Sequence, residues 1–389
     1  MASCPLSYEE TSLEAYTVRK HGMMESQRGP RGRTRVAILV PAFNEEPVLD
    51  RTLAAAAREV GPENVYVADD CSSDLTAHIG RFWTEDNVYT APVNAGKSRA
   101  LKQTIDHFRL TARYDGIFLL DADTWLSPGH VDALKDHLTP DVAFVVGRIE
   151  SDVEGWNFWV YYRAFMMWAY NAFIRTPQNV LNVINVLPGN STLLSSRAVE
   201  NIDWERASRL ILDDFSMLCD VWYGKLGKIV YIHDTPPAKQ IEPLTFRAYR
   251  KQTYGRWWPG IWQTMRDRQM FTRTDWFSVT NNLQMLSWIW CAFSPVILIL
   301  AYYLLQGTVA VWLVPLTIAY RLGETYVLAG LYAWRKVRVS ALVLAPLFLA
   351  VAYLESVLFT LSYFGSFRLE QGGRWESPAR SSTIQKEAA

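Results

Sequence analysis

Asp121 and Asp123 close the run Gly116-Ile-Phe-Leu-Leu-Asp-Ala-Asp-Thr124, an apolar stretch that stops at two carboxylates one residue apart. On an extended chain, residues two apart point to the same side. Such a pair can hold one hard cation, Mg²⁺ or Mn²⁺, and leave coordination positions open for phosphate oxygens. The plainer reading is a strand-end turn, where Asp is common. Two neighbouring stretches carry similar chemistry. Asp69-Asp70 could accept hydrogen bonds from a base or ribose, and Lys97 in Asn94-Ala-Gly-Lys could reach a ribose or phosphate.

The elements that would position these residues follow from hydrophobic periodicity. Short apolar runs bounded by polar residues predict buried strands over Val36–Val40, Asn64–Ala68, Val88–Thr90 and Gly116–Leu120. Pro41 is expected to end the first strand. Helical stretches reach Arg58 after the first strand and the region of Phe108 after the third. Strand and helix alternate, which predicts an α/β fold with a doubly wound parallel sheet. In that architecture the carboxyl ends of the strands converge on one crevice, and Asp69, Asp70, Lys97, Asp121 and Asp123 fall there. A nucleoside diphosphate fits such a crevice. The sequence has neither G-x-x-x-x-G-K-[ST] nor G-x-G-x-x-G, so phosphate binding is expected to depend on the cation.

Composition narrows the class further. The formal net charge of the 389 residues is zero, which argues against a nucleic-acid partner. Cys4, Cys71, Cys219 and Cys291 are scattered without paired spacing, so neither a disulfide framework nor a zinc site is expected. No apolar segment follows basic residues at the N-terminus as in a cleavable signal peptide. Residues 1–34 read as a polar arm whose cluster Arg28-Gly-Pro-Arg-Gly-Arg-Thr34 is either solvated or laid on anionic lipid.

Pro41-Ala-Phe-Asn-Glu-Glu46, Val67-Ala-Asp-Asp-Cys-Ser-Ser-Asp74, Asn94-Ala-Gly-Lys97 and Leu120-Asp-Ala-Asp-Thr124, in this order, resemble the nucleotide-sugar half of a family 2 glycosyltransferase. Leu187-Pro-Gly-Asn-Ser191, Leu212-Asp-Asp-Phe215 and Gln252-Thr-Tyr-Gly-Arg-Trp257 extend the resemblance to membrane-bound members, among them poly-N-acetylglucosamine, chitin, hyaluronan and cellulose synthases. The resemblance spans roughly residues 35–262. It implies a glycosyltransferase A-type fold, a nucleotide-sugar donor (a UDP-sugar in first place), a divalent metal on Asp121 and Asp123, and inversion at the anomeric carbon. It assigns the donor to Pro41, Asn44, Glu45, Asp69, Asp70, Lys97, Asp121, Asp123 and Arg256, and a glycan or lipid-linked acceptor to Asn190, Asp213, Gln252 and Trp257.

Inverting transfer is a single in-line displacement and needs one base for the acceptor hydroxyl. Asp214, at the start of a helix expected over residues 215–223, is the candidate; first-turn acids stabilised by the helix dipole are the alternative for Asp213 and Asp214. Arg256 and Trp257 suit a diphosphate clamp and a stacking face for a sugar. The family pattern is Q-x-x-R-W, whereas Gln252 lies four residues before Arg256. Either the helix is locally reshaped or Gln252 has no equivalent part.

The sequence divides into the arm to residue 34, a donor half over 35–150, an acceptor and base half over 151–281, a membrane region over 282–366 and a polar tail over 367–389. Trp156–Arg175 and Phe271–Phe277 are aromatic enough for the bilayer interface, a buried helix being the alternative for the first. Met285–Leu305, Thr308–Tyr332 and Ala341–Phe364 predict three transmembrane helices. Arg321 and Glu324 share a helix face and are expected to neutralise each other or Glu355. Arg335, Lys336 and Arg338 predict a cytoplasmic loop, hence a cytoplasmic catalytic part, a multi-pass protein of the cell membrane and a tail outside. Transfer to a polyprenyl phosphate and a non-catalytic nucleotide-sugar-binding membrane protein stand as the alternatives.

Overall fold

The computed structural model describes residues 34–153, 155–304 and 310–368. Nearly all of the arm, most of the tail, and Cys4 lie outside the described residues. The core is a seven-stranded sheet built from β1 (Val36–Ala42), β2 (Val65–Asp69), β3 (Val88–Thr90), β4 (Gly116–Leu119), β6 (Val142–Val146), β8 (Thr192–Ser195) and β9 (Lys228–Tyr231). Their order is β3-β2-β1-β4-β8-β6-β9. β5 (Thr124–Leu126), β7 (Ile149–Ser151) and β10 (Ala238–Gln240) form a second sheet, order β5-β10-β7.

Alternation within the strands explains why both faces are apolar. Ala37, Leu39, Tyr66, Ile117 and Leu119 enter one buried cluster, whereas Ile38, Val40, Val67, Phe118 and Leu120 enter the other. Helices α1 (Glu46–Val60), α2 (Thr76–Thr84) and α3 (Lys97–His107) make the crossovers between the first strands. The chain order reverses between β2 and β4, on either side of β1. A ligand crevice belongs at that point.

Three expectations need correction. The sheet is mixed, because β8 runs antiparallel to both β4 and β6. β8 leaves the Pro188-Gly-Asn-Ser191 turn at the crevice, so it must run back through the sheet away from it. Pro41 lies inside β1, in register with Ala68. Leu120 N–H donates to the Leu39 carbonyl, so the odd residues of β1 address β4, and β4 pairing stops at Leu39. The N–H that proline lacks would have had no strand partner there. Finally, the strand before the aspartate pair ends at Leu119. Asp121 and Asp123 occupy the turn into β5, closed by Thr124 N–H to the Asp121 carbonyl at 3.1 Å, so extended-chain geometry does not govern them.

The second half adds α4 (Phe158–Tyr170), α5 (Asp213–Gly224), α6 (Phe246–Gln252) and α7 (Trp258–Asp267), then α8 (Trp276–Leu304), α9 (Ala310–Lys336) and α10 (Ser340–Gly365). α4 covers the first aromatic segment and is capped by Asn157, whose side chain accepts from the Trp159 and Val160 N–H groups. Its Tyr161, Tyr162 and Phe165 are buried in one cluster with Tyr332, Ala345 and Phe348, while Trp156, Phe173 and Ile174 around it are exposed. In the second aromatic segment Phe271 and Trp276 are exposed and Phe277 is buried.

Among the described residues two helical stretches, Trp276–Leu300 and Ser340–Gly365, are long and apolar enough to cross a membrane. The helix at the second expected span forms but carries Arg321 and Glu324, which pair at 2.7 Å. Glu355 has a different partner, accepting from the Tyr162 hydroxyl at 2.7 Å.

Candidate active site

The strand exits meet around Lys97. Its Nζ donates to Asp121 Oδ1 at 2.8 Å and lies 4.0 Å from Asp214 Oδ1, with only 8% of the side chain exposed. One ammonium thus connects the turn after β4 with the first turn of α5. Burial works against that charge, but Asp121, Asp214 and Asp213 together hold the Lys97 pKa above the ordinary lysine value. For Asp214 burial is the leading cause and drives the carboxyl up to about 7; Lys97 opposes the rise, Asp213 and Asp121 add to it, and Arg256 opposes it.

Local structure explains each placement. Thr52 on α1 donates its hydroxyl to the Ala122 carbonyl at 2.7 Å, pinning the Asp121–Asp123 turn from below. Ser98 Oγ donates to Asp213 Oδ2 at 3.0 Å, and Asp213 Oδ1 accepts from Asp214 N–H at 3.1 Å. Asp213 therefore ties the starts of α3 and α5 together. Gly189 leaves room for the Asp214 carboxylate beside its backbone. A side chain there would collide with it.

At the exit of β2, Asp70 accepts from the Ala95 and Gly96 N–H groups, both at 2.8 Å. Its carboxylate fixes the loop that delivers Lys97. Asp69 is fully buried, burial raises its pKa, and its Oδ2 finds no donor among the described residues. A buried acceptor left open in this way is the kind of atom a ligand N–H or O–H completes. Asn44, with a left-handed φ of 53°, accepts from Ser73 N–H at 2.9 Å, and Glu45 N–H donates to Thr76 Oγ1 at 2.8 Å. Asn44 and Glu45 shape the loop after β2, while Pro41 lines the crevice with Phe43, Ala68, Asp70 and Lys97.

In the second half of the chain, Gln252 ends α6 and a π-helical turn spans Thr253–Trp257. A π turn takes roughly 4.4 residues, so its four residues subtend nearly the angle that three subtend in an α-helix, within about 30°. The extra residue between Gln252 and Arg256 is absorbed there. Gln252 Oε1 is buried without a partner among the described residues. Trp257 lies under the guanidinium of Arg163, 5.0 Å from ring centre.

A hydrogen-bond chain not anticipated from the sequence crosses the site. Asn190 Nδ2 donates to Thr124 Oγ1 at 3.2 Å and to Gln240 Oε1 at 2.6 Å; Gln240 Nε2 donates to Glu242 Oε1 at 2.6 Å; and Arg163 Nε donates to Glu242 Oε2 at 3.2 Å. It connects the residue after Asp123 to the residue over Trp257. Ser98, Gln240, Glu242 and Arg163 lie in no local pattern that marks such a role; only Ser98 adjoins a motif.

No three His, Cys, Asp or Glu side chains converge on a point among the described residues. Asp121 and Asp123 stand one residue apart in the turn between β4 and β5, with Asp121 Oδ1 held by Lys97; carboxylate oxygens are the ligand chemistry that Mg²⁺ or Mn²⁺ takes.

Residues 37–203 match glycosyl transferase family 2. Over that stretch, somewhat less than half of the chain, the sequence is similar to the family's domain. No curated protein matches it in sequence. Among solved structures it resembles a mannosyltransferase, PcManGT of Pyrobaculum calidifontis in complex with GDP-Man and Mn²⁺, at a TM-score of 0.54 and 18% identity, over 88% of this chain and 94% of that one. That likeness supports a glycosyltransferase A-type fold. Residues 1–349 of S. aureus TarS align over 86% of this chain and 91% of that one, at 13% identity and a TM-score of 0.43.

Proposed function

We propose that this protein is a glycosyltransferase that transfers a sugar, with inversion, from a nucleoside-diphosphate donor to a hydroxyl of a glycan or lipid-linked acceptor at a membrane. The reading is carried by Lys97, whose ammonium lies 2.8 Å from Asp121 and 4.0 Å from Asp214. The acid that would address the diphosphate and the acid that would address the acceptor are within reach of one side chain.

Asp214 accepts the proton of the acceptor hydroxyl as its oxygen attacks the anomeric carbon, and the bond from that carbon to the diphosphate oxygen breaks with its electron pair leaving on the diphosphate. A divalent cation held by Asp121 and Asp123 would neutralise the leaving diphosphate. Arg256, close enough to Asp214 to favour its carboxylate, contributes positive charge there, Asp69 offers its open Oδ2 to the nucleoside, and Trp257 presents an aromatic face to the acceptor sugar. Lys97 holds the two acids in register before donor arrives. Family resemblance makes a UDP-sugar the first donor to try; a GDP-sugar follows from the ligand of the mannosyltransferase.

The membrane setting is supported by the apolar stretches in α8 and α10, by outward Leu286, Trp290, Phe293 and Val343, and by Arg335, Lys336 and Arg338 on the side of the α/β domain. We place that domain in the cytoplasm. The test is a donor screen in detergent that reads released nucleoside diphosphate with Mg²⁺ or Mn²⁺. Turnover should vanish in excess chelator and in Asp123→Ala with the fold retained. Full turnover in chelator would reject the metal role.

A further inference from the structure

We propose that α10 does not cross the bilayer but lies along the α/β domain, so that both of its ends stay on that domain's side. The proposal rests on the membrane attachment above and fixes the course of one helix within it. It departs from the expectation of three crossings and an external tail.

Both ends of α10 are tied to the same folded body. At its start Ser340 Oγ lies 2.9 Å from the Tyr161 hydroxyl, which also donates to the Arg338 carbonyl at 3.3 Å. Lys336, just before, donates to Glu150 of β7 at 2.7 Å. At the far end Arg266 of α7 donates to Ser366 Oγ at 2.5 Å and to the Ser366 carbonyl at 3.0 Å, and its guanidinium stands 3.9 Å from the ring centre of Phe367. Between them, Glu355 accepts from Tyr162 at 2.7 Å and the Phe359 carbonyl from Trp262 Nε1 at 3.3 Å.

A helix of 26 residues is about 39 Å long, more than the ~30 Å hydrocarbon core. If α10 spanned that core, Glu150 and Arg266 would face opposite aqueous phases. Arg266 lies two residues before Arg268, which is 5% exposed on its side chain and pairs at 2.8 Å with Asp220 of α5. α5 begins with Asp213 and Asp214 and packs into the same core as the central sheet. No bilayer can pass between the two anchors.

The faces of α10 agree. Ala341, Ala345, Phe348, Glu355, Phe359 and Ser362 are buried, whereas Val343, Leu347, Leu354, Leu361 and Phe364 point outward at helical spacing. Lipid meets one stripe of the helix and protein the other. Basic residues flank both ends, Arg335, Lys336 and Arg338 before it and Arg368, Arg374 and Arg380 after it, and positive residues favour the cytoplasmic side.

The test uses the full-length chain with its four cysteines replaced by alanine or serine and one new cysteine at a time. Asp136→Cys marks the α/β domain at an exposed position, and Ser381→Cys marks the tail. A membrane-impermeant maleimide is applied to intact cells and again after permeabilisation, with nucleoside diphosphate release checking that each variant is folded. Both cysteines should be protected in intact cells and labelled after permeabilisation, and the protein should sediment with membranes. Labelling of Ser381→Cys in intact cells while Asp136→Cys is protected overturns the proposal. Recovery of the chain in the soluble fraction overturns the membrane reading itself, whatever the labelling. If Ser381→Cys stays unlabelled after permeabilisation, Thr383→Cys replaces it as the tail marker.

Discussion

Gly189 and Asp214 share a space that admits no side chain on the glycine: a Cβ at Gly189 would stand 2.7 Å from Asp214 Cγ and 2.8 Å from Oδ1. The turn before β8 and the first turn of α5 are therefore built against each other at the atom proposed to accept the proton. Gly189→Ala should push the carboxylate aside. A displacement on the order of 1 Å costs about 10²-fold in turnover. Donor affinity should change little, because Asp69, Asp70, Lys97 and Asp121, proposed for the donor, lie at or after other strands. Turnover and donor binding measured on the same preparation check this; loss of donor binding with turnover retained would contradict it.

Protonation of Asp214 sets the acid side of the pH profile. Its carboxyl is pushed up to about 7, and only the deprotonated form can accept a proton, so kcat/KM should rise with pH and level off above that value. Lys97 favours the carboxylate, so removing its charge in Lys97→Gln raises the Asp214 pKa further. The rising limb should then move to higher pH, beyond any loss in rate. An unmoved limb in Lys97→Gln would mean that another group governs it.

Glu242 is the joint of the chain that runs from Thr124 to Arg163. Ser151 Oγ at 2.7 Å, Gln240 Nε2 at 2.6 Å and Arg163 Nε at 3.2 Å all donate to its carboxylate, which is 1% exposed. Glu242→Gln removes the carboxylate that the half-buried Arg163 addresses at 3.2 Å and leaves Ser151 and Gln240 donating to a neutral group. The expected cost is about 3 kcal/mol of stability, with a higher acceptor KM as Arg163 loosens over Trp257. Chemical denaturation and acceptor titration read the two effects separately.

The strands of the first half were legible because their signals are local. A short apolar run such as Val36–Val40 bounded by polar residues fits a strand covered on both faces, and the polar residues at the exits of parallel strands meet at one edge of the sheet. The direction of β8 was not legible, since Thr192-Leu-Leu-Ser195 reads the same in either orientation and its direction follows from where the preceding turn lies. The turn at Asp121–Asp123 was read as extended because nothing in Leu120-Asp-Ala-Asp shows where pairing stops. Contacts such as Asn190 to Gln240 and Arg163 to Glu242 join residues 50 and 79 apart, beyond any local periodicity. The four-residue spacing of Gln252 and Arg256 falls on a π turn over Thr253–Trp257, which no local sequence pattern marks.

The central claim is that Asp214 is the base, and Asp214→Asn tests it most directly. Asparagine keeps the shape and removes the capacity to take a proton. Turnover at saturating donor and acceptor should fall by about 10² to 10⁴, with donor affinity measured by equilibrium binding nearly unchanged. Weakened donor binding with normal turnover at saturation would instead make Asp214 a donor ligand and contradict the mechanism.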